Sequence, residues 1–233
     1  TANGDAHLIG PKVGTSVSVF DGAGDYLSLA DSSDWALYGS AGSSTLEFWV
    51  NHTTTSGSQG YIAQKEDGSN TWWLAHEAGS GIQFEVTSGG SSIVDSGWVA
   101  AAELVANAWY HIAIVKNGND YNMYVNGVSK WNTTDSSTDT FAGPLYIGYL
   151  DAGSNYPLSA YMDSIRLSTV ARYTADFTPP TTSFTSDSDT VLLIQSGTDG
   201  SQTFDDLSTP DHTITANGDV RWFAPKVGAG AMA

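Results

Sequence analysis

Short β-strand patterns separated by turn residues run through almost the whole chain. About a dozen runs rich in Val, Ile, Thr and aromatic residues are bounded by clusters of Gly, Ser, Asn and Asp. The clearest pair, residues 121–125 and 128–131, is joined by Asn126 and Gly127, a dipeptide typical of β-hairpins because both turn positions need positive φ. Helical patterns are too short to provide the crossovers of a parallel sheet. The sequence therefore predicts an all-β fold, an antiparallel sandwich or barrel.

The charge of the chain excludes several classes of partner. Its 25 Asp and Glu residues outnumber 8 Lys and Arg residues, which gives a formal net charge of −17. Such a field repels nucleic acid and anionic membranes but attracts divalent cations. No apolar run approaches the ~20 residues that span a bilayer, so we expect neither nucleic-acid binding nor membrane insertion. No signal-peptide pattern opens the chain and there is no cysteine, so we expect a mature or excised segment without disulfides.

The chain ends with a copy of its own beginning. Residues 1–14 (TANGDAHLIGPKVG) and 215–228 (TANGDVRWFAPKVG) are identical at nine of fourteen positions without a gap. This spacing is too long for a solenoid repeat and has the length of a whole domain, which favours a piece of a tandem array. The alternative is that one local strand-and-turn motif occurs twice in a single domain.

The repeat also predicts a domain boundary. A Pro/Ser/Thr-rich stretch at 178–189 follows the main strand-rich region, so we expect one sandwich over residues 1–185. Residues 186–233 would then begin the next unit. Because a bare sheet edge favours aggregation, this segment should fill a strand position either on its own sandwich or on a neighbouring copy of the chain. We favour the neighbouring copy.

Four segments are informative together: SVFDGAGDYLSL (18–29), TLEFWV (45–50), WYHIAIVKNGNDYNMYVNGV (109–128) and LYIGYL with YMDSIRLSTVARYTADF (145–177). In this order and spacing they resemble the laminin G-type, pentraxin-like domains of the concanavalin A-like group, seen in many surface and phage-associated proteins. The resemblance implies a jelly-roll sandwich of two stacked antiparallel sheets. It also implies that the concave sheet or its rim loops bind glycans or protein partners, and that a calcium ion is frequent.

The turn DGAGD is the best candidate for that calcium ion. It places Asp21 and Asp25 around flexible glycines, and calcium prefers six to eight hard oxygen ligands that such a loop can bring together. The resemblance adds Asp163, since the equivalent strand of similar domains passes near this loop. We therefore predict a structural Ca²⁺ held by Asp21, Asp25 and Asp163. The alternative is that the two loop carboxylates only accept backbone hydrogen bonds within the turn.

Aromatic residues are the candidates for ligand binding. Trp72 and Trp73 are consecutive, so on a strand one should face the core and the other the opposite face. An exposed aromatic ring beside polar groups can stack on a sugar ring. We predict a glycan surface formed by Trp72, Trp73, Tyr149 and Tyr156. The alternative for each residue is a place in the core, which a sandwich of this size fills with large aromatic side chains.

Catalytic patterns are missing. Glycoside hydrolases of this sandwich type carry a Glu-x-Asp-x-x-Glu strand, which sets an acid and a nucleophile across the scissile bond. The glutamates of this chain, by contrast, are isolated in the sequence, and no Gly-x-Ser-x-Gly or zinc-binding pattern occurs. We therefore expect a non-catalytic carbohydrate-binding and adhesion module of an extracellular tandem-repeat protein, on a cell or virion surface. The alternative is a structural repeat, a spacer or filament subunit without a small ligand.

Overall fold

Two antiparallel sheets stack as a sandwich in the computed structural model, which describes residues 10–38, 42–150 and 156–225. Over those ranges the chain forms fifteen strands and two short 3-10 turns, Ser33–Trp35 and Ala100–Ala102. The strands are β1 (Val17–Asp21), β2 (Tyr26–Leu29), β3 (Ser44–His52), β4 (Ser58–Lys65), β5 (Thr71–Glu77), β6 (Gly81–Ser88), β7 (Ser91–Asp95), β8 (Tyr110–Asn117), β9 (Asp120–Val125), β10 (Val128–Thr134), β11 (Leu145–Ile147), β12 (Ser159–Ser168), β13 (Thr190–Ile194), β14 (Ile214–Asn217) and β15 (Arg221–Phe223). The predicted all-β antiparallel sandwich is confirmed.

The first sheet has the order β10-β9-β8-β3-β12-β1-β15, and the second has the order β14-β2-β11-β4-β5-β6-β7. Strand β13 also belongs to the first sheet, where β1 and β13 pair with successive parts of β12. Strands β4 to β7 and β8 to β10 pair with their neighbours in sequence, whereas β1, β2, β3, β11 and β12 pair with strands far away in the chain. No helix within the described ranges has the length and apolar character needed to cross a membrane.

The core between the sheets is rich in aromatic side chains. Trp72 is fully buried, and its Nε1 donates hydrogen bonds to the Trp35 carbonyl at 3.0 Å and to Gln64 Oε1 at 2.9 Å. Tyr38 packs edge-on against both Trp72 and Phe84. Burial of one large apolar side chain stabilises the folded state by about 1.5–3 kcal/mol. The indole N–H of a buried Trp also needs a hydrogen-bond acceptor, and the Trp35 carbonyl and Gln64 provide it for Trp72.

The β9–β10 hairpin turns as the sequence predicts. Asn126 and Gly127 have φ values of 51° and 76°, the left-handed conformation that this two-residue turn requires. Gly127 has a second reason to be glycine, because a Cβ there would lie 1.8 Å from the carbonyl oxygen of Phe177. The turn therefore also anchors the segment that crosses the outer face of the first sheet.

That outer face is covered by the segment following β12. Glu47 lies fully buried beneath it and accepts hydrogen bonds from Arg166 Nε at 2.9 Å and Tyr173 Oη at 2.7 Å. His111 Nε2 lies 3.2 Å from Glu47 Oε2, the oxygen that also accepts from Tyr173. Burial opposes ionisation of Glu47, but the hydrogen bond from His111 and the charge of Arg166 outweigh it and lower the pKa of this carboxyl. The outer face of the first sheet is therefore buried around Glu47, beneath the segment that follows β12.

The C-terminal segment packs on the sandwich of its own chain. Strand β13 pairs with β12 and β15 pairs with β1 in the first sheet, while β14 pairs with β2 in the second. The described part of 186–233 thus adds strands to both sheets, which differs from the favoured expectation that it would pack on a neighbouring copy. The physical reason is that β12, β1 and β2 of the same chain offer free edges with which these three strands can pair. Residues 1–9, most of the first copy of the repeat, and residues 226–228 lie outside the described residues.

Candidate functional site

The turn between β1 and β2 is held by its own carboxylates. Gly22 and Gly24 have φ values of 83° and 101°, which only glycine adopts without strain. Asp21 Oδ1 accepts a hydrogen bond from the Ala23 amide at 2.7 Å, and Asp25 Oδ2 accepts one from the Asp21 amide at 3.1 Å. The sequence DGAGD therefore closes into a tight loop in which Asp25 is buried and Asp21 is exposed.

A third carboxylate joins this loop from the other end of the chain. Asp219 lies in the turn between β14 and β15, and its amide donates to Asp25 Oδ1 at 2.7 Å. Carboxylate oxygens of Asp21, Asp25 and Asp219 all lie within 4.8 Å of one another. Burial, and then the neighbouring negative charges of Asp21 and Asp219, raise the pKa of Asp25 against the effect of its hydrogen bonds. Three hard oxygens this close suit a divalent cation, which would relieve their mutual repulsion.

Asp163, predicted as a calcium ligand, is not part of this group of carboxylates. The pairing of β12 with β3 shifts between Asp163 and Arg166, and Ser164 has a φ of 51°, which marks a β-bulge. Asp163 is buried, and it accepts hydrogen bonds from the Val13 amide at 2.9 Å and Ser164 Oγ at 3.1 Å. Burial raises the pKa of Asp163 to about 6. Asp163 therefore anchors the N-terminal segment instead, and Asp219 takes the third position.

The two consecutive tryptophans face opposite sides of the second sheet, as predicted. Trp72 is the core residue and has no exposed surface, so it does not belong to a ligand-binding surface. Trp73 is half-buried on the outer face, where it packs with Trp98 and Tyr156 around the small side chains of Ala63 and Ala75. The alternation of β5 decides this arrangement, because successive side chains point to opposite faces.

Tyr149 forms a second aromatic group on the same face. Its ring stacks on that of Tyr26, with centroids 5.2 Å apart and an interplanar angle of 28°. Tyr146 meets Tyr26 edge-on at 6.0 Å. Tyr26 and Tyr149 line a pocket of about 350 Å³ together with Ala23, Gly24 and Pro157. Sequence reasoning missed Tyr26 and Tyr146, although the alternation of YLSL and LYI around core leucines and an isoleucine places both on this outer face.

A polar pocket adjoins the aromatic one. It has a volume of about 290 Å³ and is lined by Asp21, Gly22, Thr54, Ser56, Ser58, Gln59, Pro157 and Ser159. Pro157 and the loop after β1 belong to both pockets. We call the two together the rim groove. It therefore offers an aromatic wall at one end, hydroxyl and amide groups at the other, and the carboxylate group of Asp21, Asp25 and Asp219 beside them.

Polar side chains continue from the rim groove across the outer face of the second sheet. The strand registers place one row of residues side by side on that face: Thr215, Ser28, Tyr146, Ala63, Trp73, Glu85 and Asp95. In the neighbouring strands Gln83 Nε2 donates to Asp95 Oδ1 at 2.7 Å, which holds this end of the row in place. The face is thus aromatic in the middle and polar on both sides.

The family of the chain is shown by its sequence. A model of the family Laminin_G_3, described as concanavalin A-like lectin/glucanases superfamily, matches residues 21–176, which is more than half of the chain. The chain belongs to this superfamily. The matched region runs from the first aspartate of the rim loop to the segment that covers the first sheet. Among curated protein sequences, none matches the chain significantly.

Solved structures with the same fold are similar over most of this concanavalin A-like chain. A putative carbohydrate-binding protein from Bacteroides ovatus ATCC 8483 is 20% identical with a TM-score of 0.68, covering 91% of this chain and 60% of its own length. Domains LG4-5 of the mouse laminin alpha1 chain are 19% identical with a TM-score of 0.50, covering 71% of this chain and 47% of theirs. Domain 4 of AbnA, an extracellular arabinanase from Geobacillus stearothermophilus in complex with arabinotriose, is 18% identical with a TM-score of 0.50, covering 66% of this chain and 71% of its own. The chain thus spans less than two thirds of the Bacteroides protein, and at these identities the likeness concerns the fold.

Proposed function

We propose that this chain is a non-catalytic carbohydrate-binding module that holds a glycan in the rim groove. The observation that carries the proposal is the stacked pair Tyr26 and Tyr149, which lines a pocket of about 350 Å³ directly beside a polar pocket. Binding pockets combine apolar or aromatic walls with a few converging polar groups that fix the orientation of the ligand. A sugar ring offers the matching pair of surfaces, CH groups for the tyrosine rings and hydroxyls for the polar end.

The polar end is suited to hydroxyl groups. Thr54, Ser56 and Ser58 supply short hydroxyl side chains that both donate and accept hydrogen bonds. The carboxylate of Asp21 can only accept, so it selects a hydroxyl donor over an anionic group. Together with the net charge of −17, this favours a neutral glycan over an acidic one. Trp73 and Tyr156 extend the aromatic surface for further sugar units of a longer chain.

We also propose that Asp21, Asp25 and Asp219 hold a calcium ion beside the rim groove. The ion would neutralise the three carboxylates and tie the loop after β1 to the turn after β14. A rigid loop costs less entropy on binding, which is how a structural ion supports a ligand site that it does not touch. The proposed set differs from the predicted one in a single residue, with Asp219 in place of Asp163.

Two of the solved structures support glycan binding as the function of the module. One is described as a putative carbohydrate-binding protein, and the other is an arabinanase domain in complex with arabinotriose. The environment of Glu47, which is fully buried in hydrogen bonds and an ion pair, supports a non-catalytic role for that carboxylate. We further propose that the module lies outside the cell, on a cell or virion surface, which agrees with a carbohydrate-binding function. The rival function is a structural spacer whose outer face carries no ligand.

Glycan binding is tested by screening the purified chain on an array of neutral and acidic glycans, with and without calcium. Tyr149→Ala should weaken binding of the best glycan about tenfold, which corresponds to about 1.4 kcal/mol. Tyr161→Ala is the matched control, because Tyr161 is a half-buried tyrosine of the first sheet. It should leave the affinity unchanged. No binding to any glycan, or equal losses in both variants, would support the spacer instead.

A further inference from the structure

The polar half of the rim groove is built from two segments that are far apart in the sequence, the loop after β3 and the start of β12. They meet where the Thr53 amide donates to the Ser159 carbonyl at 3.0 Å, and the loop reaches the second sheet where the Gly57 carbonyl accepts from the Ala78 amide at 3.2 Å. Between these points, residues 54–56 belong to no strand and make no backbone–backbone hydrogen bond to a described residue. The shape of this part of the loop is therefore set by side chains.

One side chain, that of Gln59, holds both segments. Its Nε2 donates to the Thr54 carbonyl at 2.7 Å and to the Ser56 carbonyl at 3.4 Å. Its Oε1 accepts from the Ser159 amide at 2.8 Å and lies 3.1 Å from His52 Nδ1. A single amide group thus links the loop, the start of β12 and the core between the sheets.

The orientation of the Gln59 amide is determined by its neighbours. The backbone N–H of Ser159 can only donate and the carbonyl of Thr54 can only accept, so Oε1 must face the first and Nε2 the second. His52 Nδ1 must then carry a hydrogen and donate to Oε1, which leaves His52 Nε2 to accept from Tyr61 Oη at 2.8 Å. A row of hydrogen bonds therefore runs from the core to the wall of the polar pocket.

Gln59 lines the polar pocket, but its amide has nothing left to offer a ligand. Only 2% of the residue is exposed, and both amide hydrogens and both lone pairs of Oε1 are used in the four contacts above. Thr54 and Ser56 are exposed, by contrast, and their hydroxyl oxygens lie 3.0 Å apart. These hydroxyls can meet a sugar, and the Gln59 amide determines where they lie.

We propose that Gln59 is the positioning residue of the rim groove, which fixes the hydroxyls of Thr54 and Ser56 where they bind the glycan without touching the glycan itself. The inference rests on the proposed function of the groove. A loop that is already ordered loses less entropy when a ligand binds. Without the Gln59 amide, the glycan itself would have to order residues 54–56, so its affinity should fall although every group that contacts it is still present.

Gln59→Met tests this role, because it removes the amide and keeps a side chain of similar length. The best neutral glycan of the wild-type chain is the probe, and calorimetry at a fixed calcium concentration gives the affinities. We expect Gln59→Met to bind about tenfold more weakly, at a temperature where circular dichroism shows both chains folded. Gln195→Met is the matched control and should bind as the wild type does. Gln195 Nε2 donates to the Phe184 carbonyl at 2.9 Å, next to β13, which pairs with the other end of β12.

Gln59→Glu distinguishes positioning from a general loss of structure. A protonated carboxyl group can donate to the Thr54 carbonyl as Nε2 does, whereas an ionised carboxylate can only accept. The affinity of this variant should therefore rise several-fold between about pH 8 and about pH 5, and that of the wild type should change less. Protonation of His52 instead would not restore the donor to Thr54. The titratable groups around the amide and behind it are common to both chains: His52, Tyr61, His76, Glu77, Glu103 and Asp21.

The results separate this inference from the proposed function. If the wild type binds a glycan and Gln59→Met binds it equally well, or loses no more affinity than Gln195→Met, Gln59 does not position the groove. The same pH profile in Gln59→Glu and the wild type would also overturn the inference, and this comparison decides alone if Gln59→Met does not fold. A wild-type chain that binds no glycan would instead contradict the proposed function, and the inference with it.

Discussion

The carboxylate of Asp25 accepts a hydrogen bond of 2.7 Å from the backbone amide of Asp219, which lies 194 positions further along the chain. Through its other oxygen, Asp25 also accepts from the Asp21 amide at 3.1 Å. One nearly buried side chain therefore closes the first hairpin of the sandwich and fixes the last turn to it. Asp25 therefore links the loop beside the rim groove to the turn between β14 and β15.

Asp25→Ala should destabilise the chain by about 1–3 kcal/mol. The substitution removes the acceptor of two part-buried hydrogen bonds, those from the amides of Asp21 and Asp219, and a typical hydrogen bond contributes about 0.5–1.5 kcal/mol. The free energy of unfolding, measured by urea denaturation in the presence of a chelator, reports the loss. Asp219→Ala is the control, because its amide still donates to Asp25. Equal losses in the two variants would show that this hydrogen bond is not the cause.

Calcium should raise the melting temperature of the wild-type chain, and a chelator should reverse the effect. A ligand that binds only the folded state adds about 2.7 kcal/mol at a concentration of 100 times its Kd. Asp21→Ala and Asp219→Ala should each abolish the response. Asp163→Ala should keep it, because Asp163 lies outside the group of three carboxylates. A chain whose melting ignores both calcium and chelator has no such site.

Local patterns were enough to predict much of the fold. The Asn126-Gly127 turn follows from the φ values that its two residues must adopt, and the opposite directions of Trp72 and Trp73 follow from strand alternation. The same alternation does not say which tryptophan meets the core. That depends on the partners of β5 in the second sheet, among them Gln64, which accepts the hydrogen bond of Trp72.

Long-range pairing explains what the sequence did not predict. Asp163 was expected beside the DGAGD turn from the family resemblance, and no local pattern pointed to Asp219. The choice between them depends on a bulge at Ser164, which directs Asp163 toward Val13, and on the return of the last strands to the first. The sequence shows that residues 215–228 repeat residues 1–14, but only the edges of β1 and β2 explain where residues 215–223 pack.

Loss of the buried ion pair between Glu47 and Arg166 should strongly destabilise the chain. Glu47→Leu leaves Arg166 buried without its carboxylate and removes the acceptor of Tyr173. Breaking a buried pair by removing one partner costs about 3–5 kcal/mol. Glu85→Leu, at a half-buried position on the outer face of the second sheet, should cost less than about 1 kcal/mol, and urea denaturation compares the two. Similar losses would mean that the segment after β12 covers the first sheet without help from this network.

The last prediction concerns two buried histidines, His52 and His76, whose rings lie 5.1 Å apart. His52 is hydrogen-bonded to Gln59 and Tyr61, and burial followed by the nearby charge of His76 lowers its pKa to about 4. Burial also lowers the pKa of His76, although Glu103, 3.6 Å from its Nε2, acts in the opposite direction. Both rings are therefore neutral in the folded chain at neutral pH.

Because these pKa values are depressed in the folded state, the unfolded chain binds more protons below pH 6.5, the usual value for histidine. The stability that the neutral rings contribute is complete above that pH and is lost as the pH falls toward 4, by about 3 kcal/mol for His52 at about 1.4 kcal/mol per pKa unit. The raised pKa of Asp163 acts oppositely, since its contribution is lost as the pH rises through about 6. His76→Phe keeps a ring in place and leaves Asp163 unchanged, so the Asp163 contribution cancels in the comparison with wild type. Urea denaturation at about pH 7 and pH 4.5 should show a smaller acid loss in this variant, and an unchanged loss would contradict the assignment to the histidine pair.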